Sequence, residues 1–153
     1  DFEYESGKRY IALDTIQNPD NLGAISRTAE AFGIDGMVIC GGCDIYNPKA
    51  LRASMGALFR LPVKVCKGLE DEINLCKNIG IQSFATVPDR DAYDITKTDF
   101  SKGALCIIGN EGNGVSKEII DACDEKITIK MQGRAESLNA AAAASITMWE
   151  LVK

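Results

Sequence analysis

The chain has 153 residues, which is enough for one domain with a substantial core. Hydrophobic residues make up 46% and charged residues 25% of it, which is ordinary for a globular protein. The formal net charge of −5 excludes a general electrostatic attraction to nucleic acid, so an RNA contact would need local basic residues, a further domain or a partner subunit.

Further classes are excluded by what the sequence lacks. No apolar run approaches the roughly 18 residues of a membrane helix and no signal peptide is visible, so we expect a cytoplasmic protein without a membrane segment. The chain contains no histidine, which excludes Ser-His-Asp and Cys-His mechanisms. Cys40-Gly41-Gly42-Cys43 has redox or zinc-knuckle spacing, but a second such pair is missing. We therefore interpret it as a strand-end turn and predict no metal site.

The six cysteines are interpreted as small buried hydrophobic residues of a reducing cytosol, because four of them lie in or beside apolar runs. The chain begins at Asp1 rather than Met. Residues 1–8 read as a short polar lead-in that ends at a Ser-Gly hinge, where a preceding domain would have been attached. We expect residues 9–153 to form the folded domain.

Strand and helix patterns alternate along the whole chain. Buried strands are predicted at Tyr10–Leu13, Met37–Cys40, Val63–Cys66, Ser83–Val87, Leu105–Ile108 and Ile127–Met131. Helices are predicted at about 21–33, 47–58, 69–79, 116–122 and 138–152, and the polar segment Pro88–Gly103 is predicted to be a loop or an irregular connection. This alternation predicts an α/β fold, a mostly parallel sheet with helices on both faces, whose ligands bind at the carboxyl ends of the strands.

The first helix carries a polar face beside its core stripe. Asp20 or Asn21 is predicted to cap its start, and Leu22, Ile25, Ala29 and Phe32 to form its core stripe. Gly23 precedes Arg27 by one turn and would leave room for a ligand beside the guanidinium. The alternative is that Arg27 simply pairs with Glu30 at i,i+3 on an exposed face.

A carboxylate lies at the centre of the glycine-rich loop 109–114, which follows a buried strand. Such loops normally bind phosphate through backbone N–H groups, but Glu111 would repel a phosphate. The loop therefore favours a ligand that is neutral or cationic near the acid, and S-adenosylmethionine, a nucleoside with a sulfonium, fits that description. The alternative is a tight strand-to-helix turn without a ligand.

A second loop, residues 131–139, precedes the alanine-rich last helix. Ser137 is a plausible N-cap for that helix, and Asn139 is a poor helix former that could instead bond a ribose, a carboxylate or Glu111. The alanines would let the helix pack closely against a sheet or a second subunit, or they simply favour helix.

Three of these segments resemble the motifs of one family in order and spacing. Asn18–Gly33 resembles its first motif (N-P-x-N-x-G-x-x-x-R-T-A-x-x-F-G), and Ile108–Ser116 resembles its second, an apolar run followed by G-x-E-G-x-G-[VIL]-S. Met131–Ala144 resembles its third, in which Met and Gly precede E-S-L-N and a small-residue helix. The chain thus resembles the catalytic domain of the SpoU (TrmH-like) RNA 2′-O-ribose methyltransferases, within the SPOUT class.

The resemblance implies a fold that periodicity could not predict, because knotted chains are rare. In this family the C-terminal part of the sheet is threaded through a loop to give a deep trefoil knot. S-adenosylmethionine binds in that knot, the enzyme is a homodimer, and its substrate is ribosomal or transfer RNA. Many members carry an N-terminal RNA-binding domain, so residues 1–8 would be the linker to it and 9–153 the catalytic domain.

The resemblance also assigns site residues. The catalytic set is Asn21, Arg27, Glu111, Ser137 and Asn139. The cofactor-binding set is Thr86, Val87, Gly109, Asn110, Gly112, Ile129, Met131, Ser137 and Leu138. The family assigns removal of the 2′-OH proton to an arginine, here Arg27. A guanidinium is a poor base, so a more economical interpretation has Arg27 bind a substrate phosphate and stabilise the developing alkoxide.

Three other functions compete with this interpretation. A nucleotide-dependent oxidoreductase would need G-x-G-x-x-G after the first strand, which residues 18–23 do not supply. A non-catalytic RNA-binding module could retain the fold, although it would have no need to keep the five catalytic candidates. A SPOUT-type base methyltransferase is the nearest alternative, and the product of the reaction distinguishes it.

Overall fold

The computed structural model describes residues 2–134 and 138–153, and within them the chain forms seven β-strands and six α-helices. The strands are β1 (Arg9–Asp14), β2 (Gly36–Cys40), β3 (Val63–Cys66), β4 (Gln82–Thr86), β5 (Tyr93–Asp94), β6 (Ala104–Ile108) and β7 (Glu125–Thr128). The helices are α1 (Pro19–Phe32), α2 (Pro48–Ala53), α3 (Ala57–Arg60), α4 (Leu69–Asn78), α5 (Lys117–Ala122) and α6 (Ala140–Val152), and a short 3-10 helix spans Ile95–Lys97.

One sheet contains all the strands of the described residues, in the order β3-β2-β1-β6-β4-β7-β5. Each of its pairings is parallel. The centre is fully buried: Leu13 of β1 is level with Ile39 of β2 on one side and Ile108 of β6 on the other. Because the strands are parallel, their carboxyl ends meet at one edge, and the predicted parallel α/β sheet is confirmed.

The predicted strands are found, but the bounds predicted for the last one are wrong. The strand predicted at Ile127–Met131 is β7, Glu125–Thr128, and it ends early because its partner strands end level with Ile127 and Thr128. The segment Pro88–Gly103, predicted as a loop or irregular connection, is mostly irregular and contains only the short β5 and the 3-10 helix. A two-residue strand is too short to show a period of two.

The helix predicted at 47–58 is divided into α2 and α3. Met55 (φ 53°) and Gly56 (φ 86°) both adopt the left-handed conformation, which ends α2 and starts a new turn. The sequence around Gly56 contains no proline, so the break left little signal beyond the glycine itself.

Asparagine caps both long helices that flank the site, which corrects two predictions. Asn18, rather than Asp20 or Asn21, caps α1, because its Oδ1 accepts from the N–H groups of Asp20 and Asn21 and Pro19 takes the first helical position. Asn139 caps α6 by accepting from the N–H groups of residues 141 and 142 at 2.8 and 3.3 Å. Ser137, the predicted cap of that helix, lies outside the described residues.

Helices cover both faces of the sheet, as predicted. Helices α1 and α6 pack on one face, where Leu22, Ile25 and Met148 are fully buried, and α4 packs on the other through Leu69 and Ile73. Across the described residues, no helix combines the length and apolar character needed to cross a membrane.

Gly23 serves helix packing rather than ligand access, which corrects the prediction made for it. A Cβ at this position would lie 2.4 Å from the Cβ of Ala53 and 2.7 Å from the carbonyl oxygen of Ala50. The glycine therefore lets α2 approach α1 closely, and the face of α1 that holds Gly23 and the buried Ser26 is turned towards protein.

The segment before β1 packs on the domain through its aromatic residues. The rings of Phe2 and Tyr10 are stacked with centroids 5.4 Å apart, and the ring of Tyr4 meets Tyr10 edge-on at 4.9 Å. The Tyr4 hydroxyl donates to the buried carboxylate of Glu72 at 2.6 Å, and Lys64 pairs with the same carboxylate at 2.9 Å. Burial and the bond to Glu72 raise the pKa of Tyr4.

Candidate functional site

The loops that follow the neighbouring strands β1 and β6 are bonded to each other at the carboxyl edge of the sheet. The Asn110 side chain donates from Nδ2 to the carbonyl oxygen of Thr15 at 2.6 Å. The backbone N–H of Ser116 donates to the carboxylate of Asp14 at 3.0 Å. Thr15 has a φ of 61°, a conformation that costs energy for a threonine and that these contacts help to hold.

Glu111 joins the second loop to the start of α1. Its carboxylate accepts from the backbone N–H groups of Gln17 (3.0 Å) and Asn18 (2.8 Å) and from Nδ2 of Asn21 (3.2 Å). Partial burial raises the pKa of Glu111, but the hydrogen bonds from Gln17 and Asn18 outweigh it, so this pKa lies below the ordinary value of 4.5. The acid therefore binds protein N–H groups, and the partner foreseen for it, Asn139, caps α6 instead.

The glycine-rich loop is a tight turn with a close backbone contact at its base. A Cβ on Gly109 would lie 2.1 Å from the carbonyl carbon of Gly114, so a side chain is excluded there. Residues 110 and 114 exchange two backbone hydrogen bonds of 2.9 and 3.1 Å, and Gly114 has a φ of 70°. The Oδ1 atom of Asn110 accepts from the N–H groups of Gly112 and Asn113. The turn that was considered as an alternative to a ligand loop is thus present, and it borders a cavity.

A cavity of about 390 Å³ lies between this turn, the ends of β4 and β7, and the start of α6. Eight residues predicted to bind the cofactor line it: Thr86, Val87, Gly109, Asn110, Gly112, Ile129, Met131 and Leu138. The ninth, Ser137, lies outside the described residues. At this edge the hydroxyl of Thr86 donates to the carbonyl oxygen of Ile107 at 2.8 Å, which ties β4 to β6.

Sequence reasoning missed several other residues that line the cavity: Pro88, Asp89, Ile108, Asn113, Gly114, Val115, Ile120, Thr128, Ala140 and Ala143. Most are sequence neighbours of predicted residues. Ala140 and Ala143 are one turn apart on α6, so a helical reading of the alanine run could have found them. Ala144 is fully buried, so the small side chains both pack α6 closely and leave space for the cavity.

The structure brings two of the five predicted catalytic residues into contact, Asn21 and Glu111. Arg27 lies six residues after Asn21 on the same helix and is exposed. Within the described part of the chain it has no hydrogen bond or ion pair to a side chain or carbonyl. Asn139 is exposed at the start of α6, and Ser137 is outside the described residues.

The alternative interpretation of Arg27, a surface pair with Glu30, is wrong. The Glu30 carboxylate is bound by the Arg60 guanidinium through two hydrogen bonds of 2.6 and 2.7 Å. Arg60 comes from α3, which packs against α1, so an interaction between helices replaces the i,i+3 pair. Arg27 is thereby left available for a ligand.

The cysteines form no disulfide, and all six are free. Burial raises the pKa of Cys76 and Cys123 to about 12, which keeps both thiols protonated at neutral pH. Among residues 2–134 and 138–153, no group of three Cys, Asp or Glu side chains could hold a metal ion.

Comparison with known families and proteins agrees with this geometry. The model of the SpoU rRNA Methylase family matches residues 8–149. A 23S rRNA (guanosine(2553)-2′-O)-methyltransferase of Bacillus subtilis is 33% identical over 147 residues, which are 95% of this chain and 58% of that protein. A 23S rRNA (uridine(2479)-2′-O)-methyltransferase of Streptomyces viridochromogenes is 36% identical over 148 residues, 94% of this chain and 52% of that protein.

Solved structures show the same fold. The crystal structure of an AdoMet-bound rRNA methyltransferase from Sinorhizobium meliloti superimposes with a TM-score of 0.89 at 34% identity, over 98% of this chain and 57% of that one. The SpoU methyltransferase AviRb from Streptomyces viridochromogenes, in complex with AdoMet, gives a TM-score of 0.87 at 33% identity, over 97% of this chain and 61% of that one. The chain therefore spans between half and two thirds of the length of these relatives.

We predict that Glu111→Gln destabilises the fold by about 1 kcal/mol at pH 7, because an amide group replaces one of two accepting oxygens and the site is partly exposed to solvent. Since the pKa of Glu111 is lowered in the folded state, its contribution is complete above about pH 4.5 and is lost as the pH falls through the folded-state value. Urea unfolding of both proteins between pH 3 and 7 should show a difference that shrinks towards acid pH. Glu3→Gln, an exposed acid before β1, is the control. A difference independent of pH would contradict the assignment.

Proposed function

The chain belongs to the SpoU rRNA Methylase family, and from this premise we propose that it is the catalytic part of an S-adenosylmethionine-dependent RNA 2′-O-ribose methyltransferase. The observation that carries the proposal is the cavity at the carboxyl edge of the sheet. Eight residues that the family resemblance assigns to the cofactor, in three separate stretches of sequence, line this one cavity. The relatives of known activity methylate ribose 2′-oxygens of 23S rRNA.

The cavity fits S-adenosylmethionine in size and chemistry. About 390 Å³ is within the range of small-molecule sites, and its walls combine apolar side chains such as Val87, Ile129 and Leu138 with the backbone of the glycine turn. That turn carries Glu111 and no lysine or arginine, so its charge disfavours a phosphate, and the carboxylate accepts hydrogen bonds from N–H groups. The bound cofactor would supply an electrophilic methyl group next to a neutral thioether leaving group.

In this proposal the catalytic residues divide into positioning residues and one that meets the substrate. Glu111 and Asn21 hold the start of α1 against the glycine turn, and so fix the direction of the helix that carries Arg27. Arg27 binds a phosphate next to the reacting ribose, and its guanidinium stabilises the negative charge that develops on O2′. The proton passes to that phosphate or to water, since the chain has no histidine and a guanidinium is a poor base. Asn139 caps α6, whose start lines the cavity, and the role proposed for Ser137 rests on the family resemblance alone, because this residue lies outside the described residues.

The C-terminal trefoil knot of the SPOUT class is also part of the proposal. Strand β7 lies between β4 and β5, so the Val87–Ala92 connection crosses its carboxyl end, and the N–H of Val87 bonds to Ile127 of β7. Val87 and Ala92 belong to the α4 face of the sheet, whereas Ile95 and α6 lie on the opposite face. This path supports a chain that is threaded through the loop formed by β4, β5 and β6.

The substrate is proposed to be ribosomal or transfer RNA in the cytoplasm, where six free cysteines remain reduced. A preceding RNA-binding domain, joined through residues 1–8, would add affinity for it. Residues 9–153 then form the catalytic domain.

A homodimer is proposed because α1 and α6, which pack on each other, leave apolar surface uncovered. Trp149 is 54% exposed and Ile146 39% exposed, and the Trp149 ring already contacts Phe32 of α1. Burial of such residues is typical of an interface between subunits. Sedimentation should give twice the 16.5 kDa chain mass, and Trp149→Glu should give a monomer. A monomeric unsubstituted chain would contradict the proposal.

We predict that Ala143→Leu abolishes most cofactor binding. The larger side chain would project into the cavity, and the affinity for S-adenosylmethionine should fall at least tenfold in calorimetry, with circular dichroism unchanged. Ala142→Leu, on the exposed side of the same helix, is the matched control and should bind like the unsubstituted chain. If Ala143→Leu binds the cofactor equally well, the cavity is not its site.

We predict that Arg27→Lys leaves cofactor affinity within about twofold but lowers methyl transfer by about 100-fold or more, because an ammonium cannot form the paired hydrogen bonds of the guanidinium. The assay is transfer of labelled methyl groups to unmodified 23S rRNA and tRNA transcripts, followed by alkaline hydrolysis, which leaves a ribose-methylated linkage uncut. Arg9→Lys, at the amino edge of the sheet, is the control and should retain activity. Turnover by Arg27→Lys equal to that of the unsubstituted chain would contradict the role, and an alkali-labile product would indicate base methylation.

A further inference from the structure

One stretch of this acidic chain contains basic residues but no acidic ones. Residues 45–69 contain five lysines and arginines and no aspartate or glutamate. The rest of the chain therefore holds 12 basic and all 22 acidic side chains. The stretch forms α2, α3 and β3, and α2 and α3 both pack against α1, the helix that carries Arg27.

Six side chains of this stretch form an exposed surface, which we call the α2–α3 patch: Tyr46, Lys49, Arg52, Met55, Phe59 and Arg60. The first four follow one another at intervals of three residues, which places them on one face of α2 and its flanks. The opposite face holds Ala50 and Ser54, which are fully buried. Tyr46 is 70%, Met55 63% and Phe59 72% exposed, so the patch combines cations with large apolar groups in water.

The acids nearest to the patch are already engaged. Glu30 of α1 is bound by the Arg60 guanidinium, whose other contact is the carbonyl oxygen of Met55 at 3.1 Å. The Asp44 carboxylate accepts from the backbone N–H of Tyr46 at 2.9 Å. Lys49 and Arg52 have no acidic partner within the described residues. Because Glu30 is one turn from Arg27, the ion pair with Arg60 also joins the patch to the proposed site.

We infer that the α2–α3 patch is a binding surface for single-stranded RNA, with Lys49 and Arg52 on phosphates and Phe59 and Tyr46 stacked on bases. This inference rests on the proposed function and extends it, because it gives the segment next to the reacting ribose a path across α2 and α3. Exposed cations beside exposed aromatic rings are the chemistry that binds single strands without sequence preference. A second copy of the chain fits less well, since it would bring the same cations together.

The charge contribution is tested by salt dependence. A fluorescein-labelled 20-nucleotide RNA of mixed sequence is titrated with the 153-residue chain at several salt concentrations. Lys49→Gln combined with Arg52→Gln should make the negative slope of log K against log salt less steep by about 1.4. The affinity at 0.15 M salt should fall by roughly tenfold. Lys77→Gln combined with Lys102→Gln removes the same charge from exposed positions at the amino edge of the sheet and should change neither. Equal losses in both pairs would overturn the inference, since net charge would then explain them.

The stacking contribution is tested separately. Phe59→Ala should weaken RNA binding at least about fivefold without changing the salt slope, whereas Tyr93→Ala, which removes a similarly exposed ring from the far edge of the sheet, should not. If Phe59→Ala changes the sedimentation of the chain and leaves RNA affinity intact, the surface is a protein interface and the inference is wrong.

Cofactor binding separates this inference from the proposed function. Each patch variant should bind S-adenosylmethionine like the unsubstituted chain in calorimetry. Unchanged RNA affinity in the patch variants, with cofactor binding retained, would overturn the patch alone. Failure of the unsubstituted chain to bind the cofactor would overturn the proposed function, whatever the RNA titration gives.

Discussion

The site depends on one carboxylate shared between two loops. Strands β1 and β6 lie side by side, but the loops that leave them would be free to separate if nothing bridged their ends. Glu111 supplies that bridge by accepting two backbone N–H groups and one side-chain N–H from the start of α1. The N–H of Asn18 is one that a helix start leaves without an intrahelical partner, so the acid satisfies it, and the hydrogen bonds stabilise the charged form of the acid. The orientation of α1, and of Arg27 two turns along it, follows from this contact.

Glycine and alanine residues allow the other elements around the site to pack closely against each other. Gly109 lets the glycine turn fold back on its own backbone, and Gly23 lets α2 lie directly on α1. Ala144 is buried where α6 meets the sheet, while Ala143 leaves the cavity open. The same property, a missing side chain, thus serves packing at some positions and ligand space at others, and the difference lies in what each residue faces.

Sequence reasoning succeeded where periodicity or motif spacing carried the information. The buried runs from Tyr10 to Ile108 predicted the parallel sheet, and the family resemblance predicted eight residues that line one cavity. It failed for contacts made across the fold: nothing local shows that Glu30 pairs with Arg60, or that Gly23 faces Ala53. It interpreted Glu111 as an acid that faces a cationic ligand, and the residue does line the cavity, but its hydrogen bonds from the N–H groups of Gln17 and Asn18 were not predicted. Gln17 and Asn18 lie more than ninety residues earlier in the chain, and a local sequence pattern carries no information about contacts at that separation.

The distribution of charge follows from the same contacts. In a chain with a net charge of −5, free carboxylates near the site would repel the anionic substrate proposed here. Glu30 and Glu111 lie on or against α1, but their carboxylates are bonded to other protein groups. Glu111 is bound by N–H groups and Glu30 by Arg60, so neither carboxylate opposes an anion beside Arg27. The surplus acids lie outside residues 45–69, which leaves α2 and α3 cationic next to the helix that the Glu111 contact orients. In the role proposed for Arg27, the contact that orients its helix and the ion pair that occupies Glu30 are both needed for its guanidinium to bind a phosphate.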